Sequence, residues 1–282
     1  MHNPRSVREI IAPTMVIEGA GVRLRRSFAP ARQNRFDPFL LFDHFAFNDP
    51  VEGPIVGFPQ HPHRGIETVT YMLAGNVRHR DSIGNVGVIG PGDLQWMTSG
   101  RGILHEELPT RSANGEVNGF QLWVNLPAAQ KMAAPRYQEV SSAQVPIVEQ
   151  AGAKVRLMAG EFAGQRGPIG DIAIQPLYLD ITLAPDALIE VPVSAGLAAY
   201  AYLFEGAGQV KAEPVSALSM LVLSDGDGLR VQAAADGLRF LLMAGQPIAE
   251  PVVPYGPFVM NTEAEIRQVF EDIRSGNFAQ PW

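Results

Sequence analysis

The sequence predicts an all-β fold: two antiparallel β-barrels in tandem, with one short helix near the C-terminus. Three observations carry this expectation. Runs of β-branched, aromatic and aliphatic residues recur from Ile66 to Leu73, Val117 to Leu126, Leu177 to Leu183 and Ala198 to Phe204. Turn pairs punctuate them, including Gly84-Asn85, Pro91-Gly92, Asp225-Gly226 and Asp236-Gly237. A weak internal repeat is also present. Tyr71-Met-Leu-Ala-Gly75 resembles Tyr202-Leu-Phe-Glu-Gly206, and a Gly-Asp pair follows each copy, Gly92-Asp93 and Gly226-Asp227. Two copies of one β unit account for the 282 residues. The repeat assigns residues 1–130 to the first barrel and 151–282 to the second. An Ala-, Gln-, Pro- and Ser-rich linker over 131–150 joins them.

The helix has its own signature. Thr262 and Glu265 stand at capping-box spacing, and Ile266, Val269, Phe270 and Ile273 follow at i, i+3, i+4 and i+7. Arg274 suits the last turn and Gly276 a left-handed stop.

Composition removes several function classes. Apolar residues make up 46% of the chain and charged residues 18%, so a core can be buried. The formal net charge of −7 argues against a direct nucleic-acid partner. There is no cysteine, which excludes disulfides, thiolate zinc sites, iron–sulfur clusters and thiol nucleophiles. Val191 to Phe204, the longest nearly apolar stretch, falls short of a membrane span of about 20 residues. The first fifteen residues lack an apolar core of signal-peptide type, so a soluble cytoplasmic protein is expected.

Six histidines remain to be placed: His2, His44, His61, His63, His79 and His105. In His61-Pro-His63 the two rings, two residues apart on a strand, point to one face. His105 and Glu107 share a face in the same way, and Glu67 has the parity to join His61 and His63. Two such strands facing each other across a barrel give three imidazoles and a carboxylate, donors suited to a first-row divalent ion. The bland reading of a lone His-x-His is a surface pair; the flanking Gly57, Gly65, Gly100 and Gly102 favour the site. His79, between Arg78 and Arg80, reads as part of a solvated hairpin, and His44 as core or as support for the site.

At these residues the chain resembles the pirin family, a branch of the cupin superfamily. The matching strings are Asp37-Pro-Phe-Leu-Leu-Phe-Asp43, Gly57-Phe-Pro-Gln-His-Pro-His-Arg-Gly65 and Pro91-Gly-Asp-Leu-Gln-Trp-Met-Thr-Ser-Gly-Arg-Gly-Ile-Leu-His105. Gln121-Leu-Trp-Val-Asn-Leu126 and Gly256-Pro-Phe-Val-Met-Asn-Thr262 extend the match to nearly the whole chain. The resemblance implies a bicupin with one metal ion in the N-terminal barrel, held by His61, His63, His105 and Glu107. It puts Glu67 behind the ligands. The second barrel has Pro192, Ser194, Arg239 and Leu241 at the corresponding offsets, and no metal is expected there.

Iron(II) ranks first for such a site; nickel, manganese, copper and zinc suit the same donors. The resemblance further implies a quercetin 2,3-dioxygenase-like oxidoreductase. Its substrates would be a small flavonol-like aromatic and O2, and it would open the flavonol ring and release carbon monoxide. Glu107 would act as ligand and proton acceptor, with Phe58, Trp96 and Met97 as pocket walls. The alternative is a metal- or redox-responsive regulator that binds a protein partner without catalysis.

Overall fold

A computed structural model of the chain describes residues 2–47 and 57–279. Its chain divides into two compact units. Among the described residues the ladders between named strands are antiparallel, and the sheets remain open rather than closing into complete barrels.

The histidine-bearing unit comprises Thr14–Ser142 and Ile248–Trp282. Its larger sheet has seven strands, and Ile66–Ala74 lies inside it between Leu94–Thr98 and Val117–Asn125. Both neighbours cover Ile66–Ala74, and seven of its nine residues are buried. Its burial does not alternate, and it takes in Glu67, Thr68 and Thr70 along with the apolar residues. A four-stranded sheet runs Phe58–His63, Ile103–Thr110, Asn76–Asp81, Val86–Ile89.

The other unit comprises Met1–Pro13 and Ala143–Pro247 and holds a nine-stranded sheet. An apolar cluster inside it includes Leu157, Leu179, Val191, Leu221, Phe240 and Leu242. Arg239, at a position corresponding to a ligand of the first half, makes a bidentate pair with Asp180 at 3.0 and 2.8 Å.

This division by packing differs from the boundaries expected at 1–130 and 151–282. Val7–Ile11 pairs with Ser219–Leu223, so the first strand belongs with the C-terminal half. The segment from Ile248 onward, helix included, returns to the histidine-bearing unit. Strand pairing depends on partners far away in sequence, so composition along the chain does not reveal it.

The helix forms where expected, Glu263–Ser275. Thr262 and Glu265 make both halves of the capping box, and Gly276 caps the other end at φ 73°. Ile266 and Val269 pack with Val253, Phe258, Met260 and Phe278, while Ile273 is exposed. The matched glycines of the repeat both have positive φ, Gly75 at 72° just past Ile66–Ala74 and Gly206 at 74° inside Ala198–Val210.

Gly65 shows what the local backbone demands. It has φ +80°, and a Cβ there would lie 2.1 Å from Val259 O and 2.8 Å from Met260 Sδ. Gly84 has φ +96° with nothing within 4 Å of a Cβ. Gly84→Ala should therefore cost about 1 kcal/mol from backbone strain alone, and Gly65→Ala at least twice that. Urea denaturation of the two variants should show this ranking. Equal losses would mean that the contact with Val259 yields freely.

Candidate metal centre

The three candidate histidines come together. His61 and His63 project from one face of Phe58–His63, and Ile103–Thr110 runs antiparallel beside it with His105 directly opposite His61. The two strands are thus hydrogen-bonded neighbours in one sheet, not opposed walls as expected. Their ligand nitrogens all lie within 4.8 Å of one another. His61 Nε2 is 3.1 Å from His63 Nε2 and 2.9 Å from His105 Nε2.

Proton placement decides what this cluster can hold. His61 Nδ1 is 2.9 Å from Pro59 O, and His63 Nδ1 is 3.3 Å from Pro257 O. A carbonyl only accepts, so each Nδ1 carries the hydrogen. Burial lowers the pKa of His61 and pushes His63 and His105 well below the ordinary imidazole value, with neighbouring histidines adding to the latter two. The rings of His61 and His63 are neutral, and their bare Nε2 lone pairs face each other. A cation satisfies that arrangement, whereas a hydrogen bond between two such atoms has no proton to share. Donors about 2.1 Å from an ion at right angles stand about 3.0 Å apart, the spacing found from His61 Nε2 to each of the other two rings. The donor set therefore fits a divalent metal ion.

The carboxylates behave differently from the histidines. Glu107 lies outside the nitrogen cluster. The pairing of the two strands slips between His105 and Glu107, so that Glu107 faces Phe58 across the ladder. Its Oε1 lies 3.3 Å from Thr70 Oγ1, and burial raises its pKa to about 7. Glu67 does not share the histidine face. Gly65 ends the histidine strand, and Glu67 sits on Ile66–Ala74 in the larger sheet. There it accepts from Thr98 Oγ1 at 2.7 Å, and burial raises its pKa.

His79 is buried, contrary to the solvated hairpin expected. Alternation on Asn76–Asp81 turns Val77, His79 and Asp81 inward and leaves the flanking arginines more exposed. Its Nε2 lies 2.7 Å from Glu139 Oε1, and its ring stacks on Tyr137. His44 hydrogen-bonds Asn118 at 3.0 Å and packs on Phe120. Burial pulls its pKa down to about 4.

A cavity of about 590 Å³ opens onto the cluster, with His61, His63 and Glu107 in its wall. Phe58, Phe45, Leu24, Leu41, Val77 and Trp123 supply apolar lining. Trp96 and Met97 do not line it; both are buried on the strand Leu94–Thr98. Sequence reading missed Trp123, whose ring meets His63 edge-on at 5.1 Å, and Gln121, which accepts from Thr70 at 2.7 Å. Their spacing on Val117–Asn125 put them on one face, a signal open to the same alternation argument.

The pirin family model matches residues 21–124, and the pirin C-terminal cupin domain matches 178–279. The chain belongs to the pirin family. A pirin-like protein of Caulobacter vibrioides is 45% identical over 276 residues, 97% of this chain and 99% of that one. Human pirin is 42% identical, covering 92% of this chain and 88% of its own. A crystal structure of quercetin 2,3-dioxygenase from Acinetobacter baumannii superposes with a TM-score of 0.89 at 33% identity, covering 98% of both chains. This pirin-family chain is a bicupin, and its histidine cluster suits a divalent ion. Among the described residues, no helix is long and apolar enough to cross a membrane.

The buried histidines predict a pH response. His44 is held below its unfolded value of about 6.5, so the unfolded chain binds more protons from pH 6.5 down to about 4. Its contribution is complete above that window and is lost on acidification, on the order of 3 kcal/mol in all. Denaturation of metal-free protein between pH 7 and 4.5 should show a weaker acid loss in His44→Gln than in the parent. Identical slopes would mean that His44 is protonated without unfolding the site around it.

Proposed function

We propose that this chain is a metal-dependent dioxygenase of the quercetin 2,3-dioxygenase type, acting on a flavonol-like aromatic and O2. The reading rests on one observation: three converging imidazoles open onto a largely apolar cavity of about 590 Å³, ample for a planar aromatic substrate. The full-length likeness to the Acinetobacter quercetin 2,3-dioxygenase supports it.

In this reading His61, His63 and His105 would hold the ion, and Glu107 is the carboxylate of the site. Iron(II) is our first choice, with nickel, manganese, copper and zinc compatible with the same donors. The bound ion supplies Lewis-acid and redox chemistry that the side chains lack.

The remaining steps belong to the protein. Phe58 and Trp123 flank the cavity and keep water from the ring. Glu107, poised near neutral pH, takes the proton of the substrate hydroxyl on its carboxylate oxygen. Thr70 Oγ1 stands between Gln121 Oε1 at 2.7 Å and the Glu107 carboxylate at 3.3 Å, with one hydroxyl hydrogen for the two acceptors. Glu67, behind Thr98, only steadies the neighbouring strand. The products would be the ring-opened ester and carbon monoxide.

Two measurements test this reading. The double variant His61→Ala/His63→Ala should lose its divalent ion in equilibrium dialysis; retention of one equivalent would put the site elsewhere. Flavonol turnover at saturating metal should fall by about 10²-fold or more in Glu107→Gln, the scale for loss of a general base. Glu67→Gln should cost about tenfold. The reverse ranking would transfer the proton-accepting role to Glu67. No turnover by metal-loaded parent protein would favour the partner-binding regulator.

A further inference from the structure

The C-terminal segment returns to the histidine-bearing unit and grips the end of the strand that carries His61 and His63. Pro257 O accepts from His63 Nδ1 at 3.3 Å. Two residues on, Val259 N donates to Arg64 O at 3.1 Å. The Arg64 side chain donates to Asp272 Oδ2 at 2.7 Å, and its guanidinium lies 4.6 Å from the centre of the Phe278 ring. Gly65 leaves no room for a Cβ because Val259 O stands in the way.

Lys131 closes this junction. Its side chain is 1% exposed, yet its ammonium has three acceptors for its three hydrogens. They are Gly65 O at 2.8 Å, Asn125 Oδ1 at 2.8 Å and Val259 O at 2.9 Å. Each acceptor belongs to a different segment: the end of the histidine strand, the end of Val117–Asn125, and the returning C-terminal segment. A buried cation is costly unless fully hydrogen-bonded, and here the acceptors are all backbone or amide oxygens. Glu250 and Glu265 supply the nearby negative charge. Such a group holds its three acceptors at fixed separations, and one of them lies two residues from the carbonyl that orients His63.

We propose that Lys131 is a positioning residue for the metal centre. It locks the Pro257–Val259 backbone against Gly65, and so fixes the carbonyl that sets the tautomer and ring orientation of His63. The inference rests on the metal reading given above. Partners of this kind typically change metal affinity by 10- to 100-fold when removed. Coupling is reciprocal, so ion binding at His63 must in turn stabilise the Val259–Arg64 contact.

Nickel(II) serves as the probe, titrated calorimetrically into metal-free protein. Lys131→Met should raise the dissociation constant at least tenfold. Asp272→Asn, at the outer end of the same grip, should give a smaller rise of the same sign and tests the idea in a milder variant. In the parent protein, exchange of the Val259 amide hydrogen should slow on nickel binding. A Lys131→Met protein with parental affinity and only a lowered melting temperature would overturn the inference while leaving the metal reading intact. So would a Val259 amide indifferent to nickel, which decides the matter if Lys131→Met fails to fold. A parent protein that binds no nickel, iron(II) or other divalent ion would overturn the metal reading first, and this inference with it.

Discussion

Lone pairs aimed at one another are the constraint on which the site depends. Pro59 O and Pro257 O claim the Nδ1 hydrogens of His61 and His63, so their Nε2 atoms are bare. Burial forbids relief by protonation, since charging these rings would cost more than in water. The folded chain therefore holds imidazoles together that disfavour each other until a cation lies between them. The energy for this comes from the sheets around them. His63 and His105 sit in a well-packed body, held by strand pairing and by the Arg64 and Lys131 contacts. Pre-assembly of this kind converts the stability of the fold into affinity for an ion.

The same economy shapes the cavity. Glu107 stands apart from the nitrogen cluster because the ladder slips between it and His105. It thereby gains a place in the cavity wall and a partner in Thr70, and burial leaves it near the point of half-protonation at neutral pH. Apolar side chains dominate the rest of the lining, and the cation at its edge, Arg26, is already engaged by Asp43 and Glu18. A planar, neutral aromatic suits such a surface better than a small anion does.

Local features were legible in the sequence, and long-range ones were not. The capping box at Thr262, the strand Leu177–Leu183 and the shared face of His61 and His63 follow from spacing within a few residues, whereas His105, 44 residues on, joins them through strand pairing. Glu67 misled because parity was counted through Gly65, whose positive φ ends one strand before the next begins in another sheet. His79 misled because its arginine neighbours mark the outer face of a strand whose inner face it occupies. Lys131 looked like the start of a linker, yet it is buried by oxygens from three separate segments, one of them 128 residues away. The exchange of terminal segments between the two halves left no local trace for the same reason.

X-ray absorption spectroscopy at the metal edge, on protein purified without added metal, bears most directly on the claim that these imidazoles hold an ion. The expected spectrum shows about one first-row ion per chain, with imidazole multiple scattering that fits three histidines and is lost in His105→Ala. An ion surrounded only by oxygen, or a spectrum unchanged in His105→Ala, would contradict it.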